Sequence, residues 1–247
     1  MKPAARGSTR AGAGVLPGAT PGNCRDYQGQ SGRHRRRPGY FWGVKILAIG
    51  RNYAAHIAEL HNEVPTAPVI FDKPETALLL NNAPFYFPDF TQDIHFEIEL
   101  VLRVSKEGKS IAPEFASRYY DAIGLGLDFT ARDLQAHAKA KGLPWTLAKG
   151  FNGSAPVGNV WKPIADFADP ASITFSLRQN GVEKQRGNSS LMIHSFDQIV
   201  SYISRFILLK KGDLIFTGTP EGVGPIAIGD RLEGFLEDER VLICEIK

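Results

Sequence analysis

Cys24 and Cys244 are the only cysteines in 247 residues. So small and so widely separated a pair excludes both a disulfide framework and a zinc-finger spacing. The chain therefore reads as a soluble protein of a reducing compartment, the cytoplasm. No apolar run approaches the roughly 20 residues that cross a bilayer, so no membrane is expected as a partner. A large charge of one sign is missing too, since 29 Lys and Arg face 26 Asp and Glu for a net +3. That small figure conceals an uneven distribution. Residues 1–43 hold Lys2 and seven arginines against one acid, Asp26, a net of +7, which leaves about −4 for residues 44–247. A basic stripe is no property of the main body, and nucleic acid is not expected as a partner.

Residues 1–43 are rich in Gly, Pro, Arg and Ser, with Val15 and Leu16 as the only aliphatics larger than alanine. Such a segment buries too little apolar surface to offset its ordering entropy, so it is read as a disordered basic extension. Its Arg-rich, acid-poor composition permits a transit-peptide reading, but the glycines and prolines oppose the amphipathic helix that reading needs. A single folded domain is expected over residues 44–247. At 43% hydrophobic residues overall, it can bury one substantial core.

Val44 to Gly50 reads as a strand, followed by a short helix with Asn52 as its N-cap. His56 and Glu59 stand three apart and share a face of that helix, the minimum for an oriented general base. Residues 69–80 hold a strand, a Pro74 turn and a second extended piece. Phe96 to Val104 alternates with period two, so Glu97 and Glu99 point the same way. Adjacent carboxylates repel unless something positive lies between them, and a hard divalent cation suits oxygen donors. Two ordinary surface glutamates remain the plain alternative. Glu107-Gly108-Lys109 is expected to turn a hairpin after this strand.

Asp121 to Asp128 is a buried strand ending on a carboxylate at a strand-to-helix junction. Thr130 to Asp133 has the outline of a capping box, opening a helix that stops at Gly142. Lys149 is a lone cation among apolar neighbours, which must snorkel outward or pair with a buried anion. Beyond Ile173, short strands alternate with turn signals at Asn180-Gly181 and Gly187-Asn188. An amphipathic helix runs from Phe196 to Leu209 on a core face of Ile199, Ile203, Phe206 and Ile207. Gly229-Asp230 and Glu237-Asp238 are read as hairpin turns. The Gly-rich loop from Thr217 to Pro225 lacks the Walker pattern, but its N–H groups can hold a carboxylate.

Seven short segments in fixed order tie these pieces together. They are Gly50-Arg51-Asn52-Tyr53, His56 with Glu59, Phe71 to Pro74, Glu97-Ile98-Glu99, Asp128 to Asp133, Leu143 to Lys149, and Gly218 to Gly224. The set resembles the fumarylacetoacetate hydrolase family, in its short acylpyruvate hydrolase and oxaloacetate decarboxylase branch. The resemblance implies an α+β, β-rich fold, a mixed β roll with short flanking helices, assembled as a homodimer. It makes Glu97, Glu99 and Asp128 the ligands of Mg²⁺ or Mn²⁺, and His56 with Glu59 a catalytic dyad on a lid. Lys149 would stand beside the metal as a further catalytic group. Arg132, Gln135 and Thr219 would meet the substrate, with Arg51 and Lys73 in contact or support. The activity implied is metal-dependent hydrolysis of a C–C bond in acylpyruvate-like 1,3-diketo acids, with oxaloacetate decarboxylation as a second reaction. The rivals are an isomerase or decarboxylase of 2-oxo dioic acids and, from another class, nucleic-acid binding through the basic arm.

Overall fold

A computed structural model of the chain describes residues 43–61 and 63–247. The extension read at residues 1–43 lies, but for Gly43, outside them. The centre is a mixed six-stranded sheet in the order Val69–Lys73, Ile46–Gly50, Leu214–Phe216, Ile98–Val104, Tyr120–Leu127, Lys162–Pro163. Ile46–Gly50 runs parallel to Leu214–Phe216, and the other neighbours are antiparallel. Apolar residues on both faces of the central strands explain why this sheet is sandwiched. Leu47, Ile49, Leu100, Leu102, Ile123 and Leu125 face an antiparallel sheet of Val182–Asn188, Thr174–Gln179, Arg231–Leu236 and Glu239–Glu245. Ile46, Ala48, Val101 and Phe216 on the other face meet Ala77, Ala155 and Val157.

Four short α-helices, Ala54–Glu59, Arg132–Lys141, Thr146–Lys149 and Phe196–Ser204, flank the sheets among the described residues. A β-rich α+β fold is what the chain adopts, as expected. Arg132–Lys141 ends at Gly142, and the hairpin turns at Asn180-Gly181 and at Glu237-Asp238 are present.

Local expectations fail where a distant segment claims the same atoms. Asn52 does not cap its helix, which starts after Tyr53 without a side-chain cap. Its amide instead donates to the carbonyls of Thr217 (2.8 Å) and His194 (3.0 Å) and accepts from the His194 N–H (2.8 Å). No capping box forms at Thr130 to Asp133, because Thr130–Ala131 pairs as a short strand with Ile94–Phe96. The Glu107-Gly108-Lys109 hairpin is replaced by a longer connection that contains the 3₁₀ segment Pro113–Arg118. Gly187-Asn188 is no turn but the end of the strand Val182–Asn188, where a Cβ at Gly187 would stand 2.6 Å from the Phe175 ring. Gly229-Asp230 turns the chain between two different sheets and makes no hairpin. The last helix stops at Ser204, not Leu209, and Phe206 is 62% exposed against Tyr202. Side-chain bonds compete with the helix there: Ser204 Oγ donates to the Ser201 carbonyl and accepts from the Ile111 N–H.

Candidate active site

Two adjacent strands bring the carboxylates together. Ile98 is paired with Leu127, and one step further on the N–H of Asp128 donates to the Glu97 carbonyl at 2.8 Å. Directly opposed residues on antiparallel strands share a face, as do residues two apart on one strand. Glu97, Glu99 and Asp128 therefore converge, with oxygens that lie within 4.8 Å of one another. All three are buried, at 5%, 1% and 1% exposure. Glu97 itself lies between the strands Ile94–Phe96 and Ile98–Val104, where the chain leaves one sheet for the next.

Such a cluster is costly unless cations attend it. Lys149 Nζ stands 2.9 Å from Glu97 Oε2 and 2.6 Å from Asp128 Oδ2, and Arg132 donates to Glu97 Oε1 at 2.7 Å. Burial alone would push the Glu97 carboxyl up, but Lys149 and Arg132 hold it well below the usual range. Glu99 fares differently. Burial, then the neighbouring Asp128 and Glu97 charges, drive it well above the ordinary value, and its one recorded hydrogen-bond donor is the Gly218 N–H at 2.7 Å. For Lys149, burial opposes the charge, but Asp128 and Glu97 outweigh it and raise its pKa. Three hard oxygen donors, one of them short of positive charge, fit a divalent cation of the Mg²⁺ or Mn²⁺ type.

Arg51, His56, Arg132, Gln135, Lys149 and Thr219 line the cavity above the carboxylates. Arg51 is held there by left-handed backbone (φ 61°), an uncommon conformation for a residue with a side chain. Gln135 accepts from Arg132 at 2.8 Å and is 5% exposed. The Thr219 hydroxyl donates to the Ile98 carbonyl at 2.8 Å, which keys the Gly-rich loop to the residue between the two glutamates. Lys73 does not reach this wall. Its buried ammonium pairs with Asp128 Oδ1 at 2.7 Å and with the carbonyls of Phe129, Lys149 and Ser154 behind the site. That is a supporting place, not a substrate contact. Burial lowers its pKa despite the nearby Asp128.

His56 comes from the helix Ala54–Glu59, directly after the strand Ile46–Gly50. Its Nδ1 lies 3.1 Å from Glu59 Oε2, and its side chain is 8% exposed. A carboxylate only accepts, so Nδ1 carries the hydrogen of this bond. In the neutral ring that leaves Nε2 unprotonated, the form a base requires.

The profile of the family described as fumarylacetoacetate (FAA) hydrolase C-terminal matches residues 45–247. The chain belongs to the fumarylacetoacetate hydrolase family. Among its relatives, the mitochondrial oxaloacetate tautomerase FAHD1 of Mus musculus is 43% identical over 196 residues, 79% of this chain and 88% of the relative. Oxaloacetate tautomerase YcgM of Escherichia coli is 40% identical over 189 residues, 76% of this chain and 86% of the relative. Fumarylpyruvate hydrolase from Pseudomonas aeruginosa, solved in complex with Mn²⁺ and pyruvate, superposes with a TM-score of 0.77 at 36% identity, covering 82% of this chain and 88% of that one. Divalent-metal binding thus occurs within the family that this chain joins.

Two further residues bear on the site, one lining it and one supporting it. Lys139 lines the cavity and lies 5.7 Å over the Trp145 ring. Its spacing was legible, since residues 132, 135 and 139 share one helix face. Gln185, 1% exposed, joins the Gly-rich loop to Ile98, and nothing local in a strand of exposed neighbours marks it.

Proposed function

We propose that this family member is a divalent-metal-dependent enzyme of 2-oxo acids that works through an enolate. Its principal substrate class on this reading is the 2-oxo dicarboxylates, and with oxaloacetate it interconverts keto and enol forms. The observation that carries the reading is the pairing of a buried three-carboxylate floor with a mouth bearing Arg51, Arg132 and Lys139. Glu97, Glu99 and Asp128 would hold the ion. When bound, a divalent ion supplies positive charge beside the 2-oxo group, where the enolate charge develops. Lining groups contribute three negative charges from the carboxylates and four positive ones from Arg51, Arg132, Lys139 and Lys149. With a divalent ion added, the excess is positive, which favours a dianion over a monoanion.

His56 Nε2 takes a proton from C3, the C–H electron pair forms the C2–C3 double bond, and the 2-oxo oxygen takes the negative charge. The imidazolium then gives its proton to that oxygen, which yields the enol and restores neutral His56. The reverse path returns the proton to C3. Glu59 keeps Nδ1 protonated throughout and stabilises the imidazolium. Arg132 and Arg51 orient the distal carboxylate, Gln135 and Thr219 shape the wall, and Lys149 limits repulsion between Glu97 and Asp128.

Hydrolysis of acylpyruvates is the second reading, favoured by the same pair. There His56 takes a proton from water, hydroxide adds to the distal carbonyl, and the C–C bond breaks towards C3. The pyruvate enolate so formed is protonated at C3, and a carboxylate is the other product.

The test follows oxaloacetate enol absorbance and C3 deuterium exchange, and acetylpyruvate cleavage, with Mg²⁺ and then with EDTA. Metal-dependent acceleration of C3 exchange is the expected result, and acetate plus pyruvate would establish the second reading. Absence of both overturns the proposal. Residues 44–247 are taken as the catalytic unit, a cytoplasmic homodimer, to be checked by sedimentation and cell fractionation. The mouse relative suggests a mitochondrial alternative, which a tagged chain lacking residues 1–43 would distinguish.

A further inference from the structure

Glu59 is the outer member of the proposed base pair, with 31% of its side chain exposed. A carboxylate so placed rotates freely unless a second group holds it. The second group is main chain: the Gly222 N–H donates to Glu59 Oε1 at 2.9 Å, while Oε2 faces His56 Nδ1 at 3.1 Å. Each oxygen thus has its own partner, and the carboxylate plane is set.

Gly222 has little freedom to be anything else. Its φ is +91°, and a Cβ there would lie 2.2 Å from the Lys184 carbonyl oxygen, a main-chain atom of the adjoining strand. The neighbour of Lys184 anchors the same loop. Gln185 Oε1 accepts from the Ile98 N–H, and its Nε2 donates to Thr219 Oγ1 and to the Pro220 carbonyl, each at 2.9 Å. At its near end the loop also presents the Gly218 N–H to Glu99. One short loop therefore touches a carboxylate of the floor at residue 218 and the base pair at residue 222.

We infer that the Gly222 main-chain N–H is a positioning group for the His56–Glu59 pair, holding the Glu59 carboxylate so that His56 presents Nε2 to the substrate. The inference rests on the enolate reading above. Gly222 touches no reacting atom and acts only through Glu59.

The experiment uses the full chain with Mg²⁺ and the variants Gly222→Ala and Glu59→Gln, singly and together. Two reactions of oxaloacetate are followed. Keto–enol interconversion needs a base, whereas loss of CO₂ needs only stabilisation of the enolate. Gly222→Ala is expected to lower kcat for interconversion by about 10- to 100-fold, with KM within about twofold. Decarboxylation and calorimetric Mg²⁺ affinity should hold, and the double variant should be no slower than Glu59→Gln alone. A general structural lesion would instead depress both reactions and multiply with Glu59→Gln, which overturns the inference.

Amide hydrogen exchange in the metal-free protein decides the contact without Gly222→Ala. The Gly222 N–H should be protected in the natural chain and lose about tenfold or more of that protection in Glu59→Ala, with Gly218 unchanged. Equal protection of Gly222 in both proteins overturns the inference. Should Glu59→Gln leave interconversion untouched, the base assignment fails, while the exchange result still reports on the contact.

Discussion

The floor and the wall of the site are built to different standards. Glu97, Glu99 and Asp128 stand at the ends of two interior strands of the six-stranded sheet and are nearly inaccessible; the pairing of Glu99 with Gly126 and the Asp128 N–H on the Glu97 carbonyl align them. His56 and Glu59 ride on a six-residue helix without a side-chain cap. That helix is tied down by the Asn52 amide at one end and by the Gly222 N–H near the other. A helix this short has no stability of its own and persists only through such ties. The floor is therefore preorganised for charge, while the proposed base depends on contacts that can be released without disturbing the core. Metal binding and base catalysis should be separable by mutation.

The largest effect is expected from the floor. Glu97→Ala removes a proposed ligand and leaves Arg132 without its carboxylate, while Lys149 keeps Asp128. Calorimetry should find Mg²⁺ binding lost, and turnover should fall by about 1,000-fold or more. Undiminished affinity would break the division between floor and wall. His56→Ala comes next: interconversion of oxaloacetate should slow by about 100-fold, and decarboxylation far less. Equal losses in kcat for the two reactions would show that the wall does more than supply a base.

Lys73→Met probes the support beneath the floor. It deprives Asp128 Oδ1 and several carbonyls of their ammonium, and such a loss typically destabilises by about 3–5 kcal/mol, readable in urea denaturation. A change below about 1 kcal/mol would mean that water replaces Lys73 easily. The smallest effect is at the rim. Lys139→Met should raise KM for oxaloacetate about tenfold and leave acetylpyruvate within about twofold, because only the former carries a second carboxylate. Equal shifts for both substrates would mean that the Lys139 charge does not favour the dianion.

Much of the site was legible because its signals are local. The two-residue spacing of Glu97 and Glu99 and the three-residue spacing of His56 and Glu59 are properties of a strand and a helix, whatever surrounds them. Asn52 misled for the same reason. As a local reading its amide caps the next helix, yet carbonyls 142 and 165 residues away claim it. Lys73, between Asp72 and Pro74, and Lys149, between Ala148 and Gly150, are each a single cation in its stretch, and neither stretch says which of them meets the cavity. One lies behind the carboxylates and the other lines the cavity.

The sequence by itself determined the β-rich class, the shared face of the two glutamates and the pairing of His56 with Glu59, because side-chain direction along a strand or helix follows from backbone period alone. Only the tertiary structure decided that Asp128 meets Glu97, that Gln185 anchors the Gly-rich loop and that Gly222 reaches Glu59. Those contacts depend on strand register and on loops closed over 31, 87 and 163 residues, for the first of which pairing of Ile98 with Leu127 sets the alignment. Register across such separations is chosen by burial of the whole sheet, and no short stretch of chain carries it.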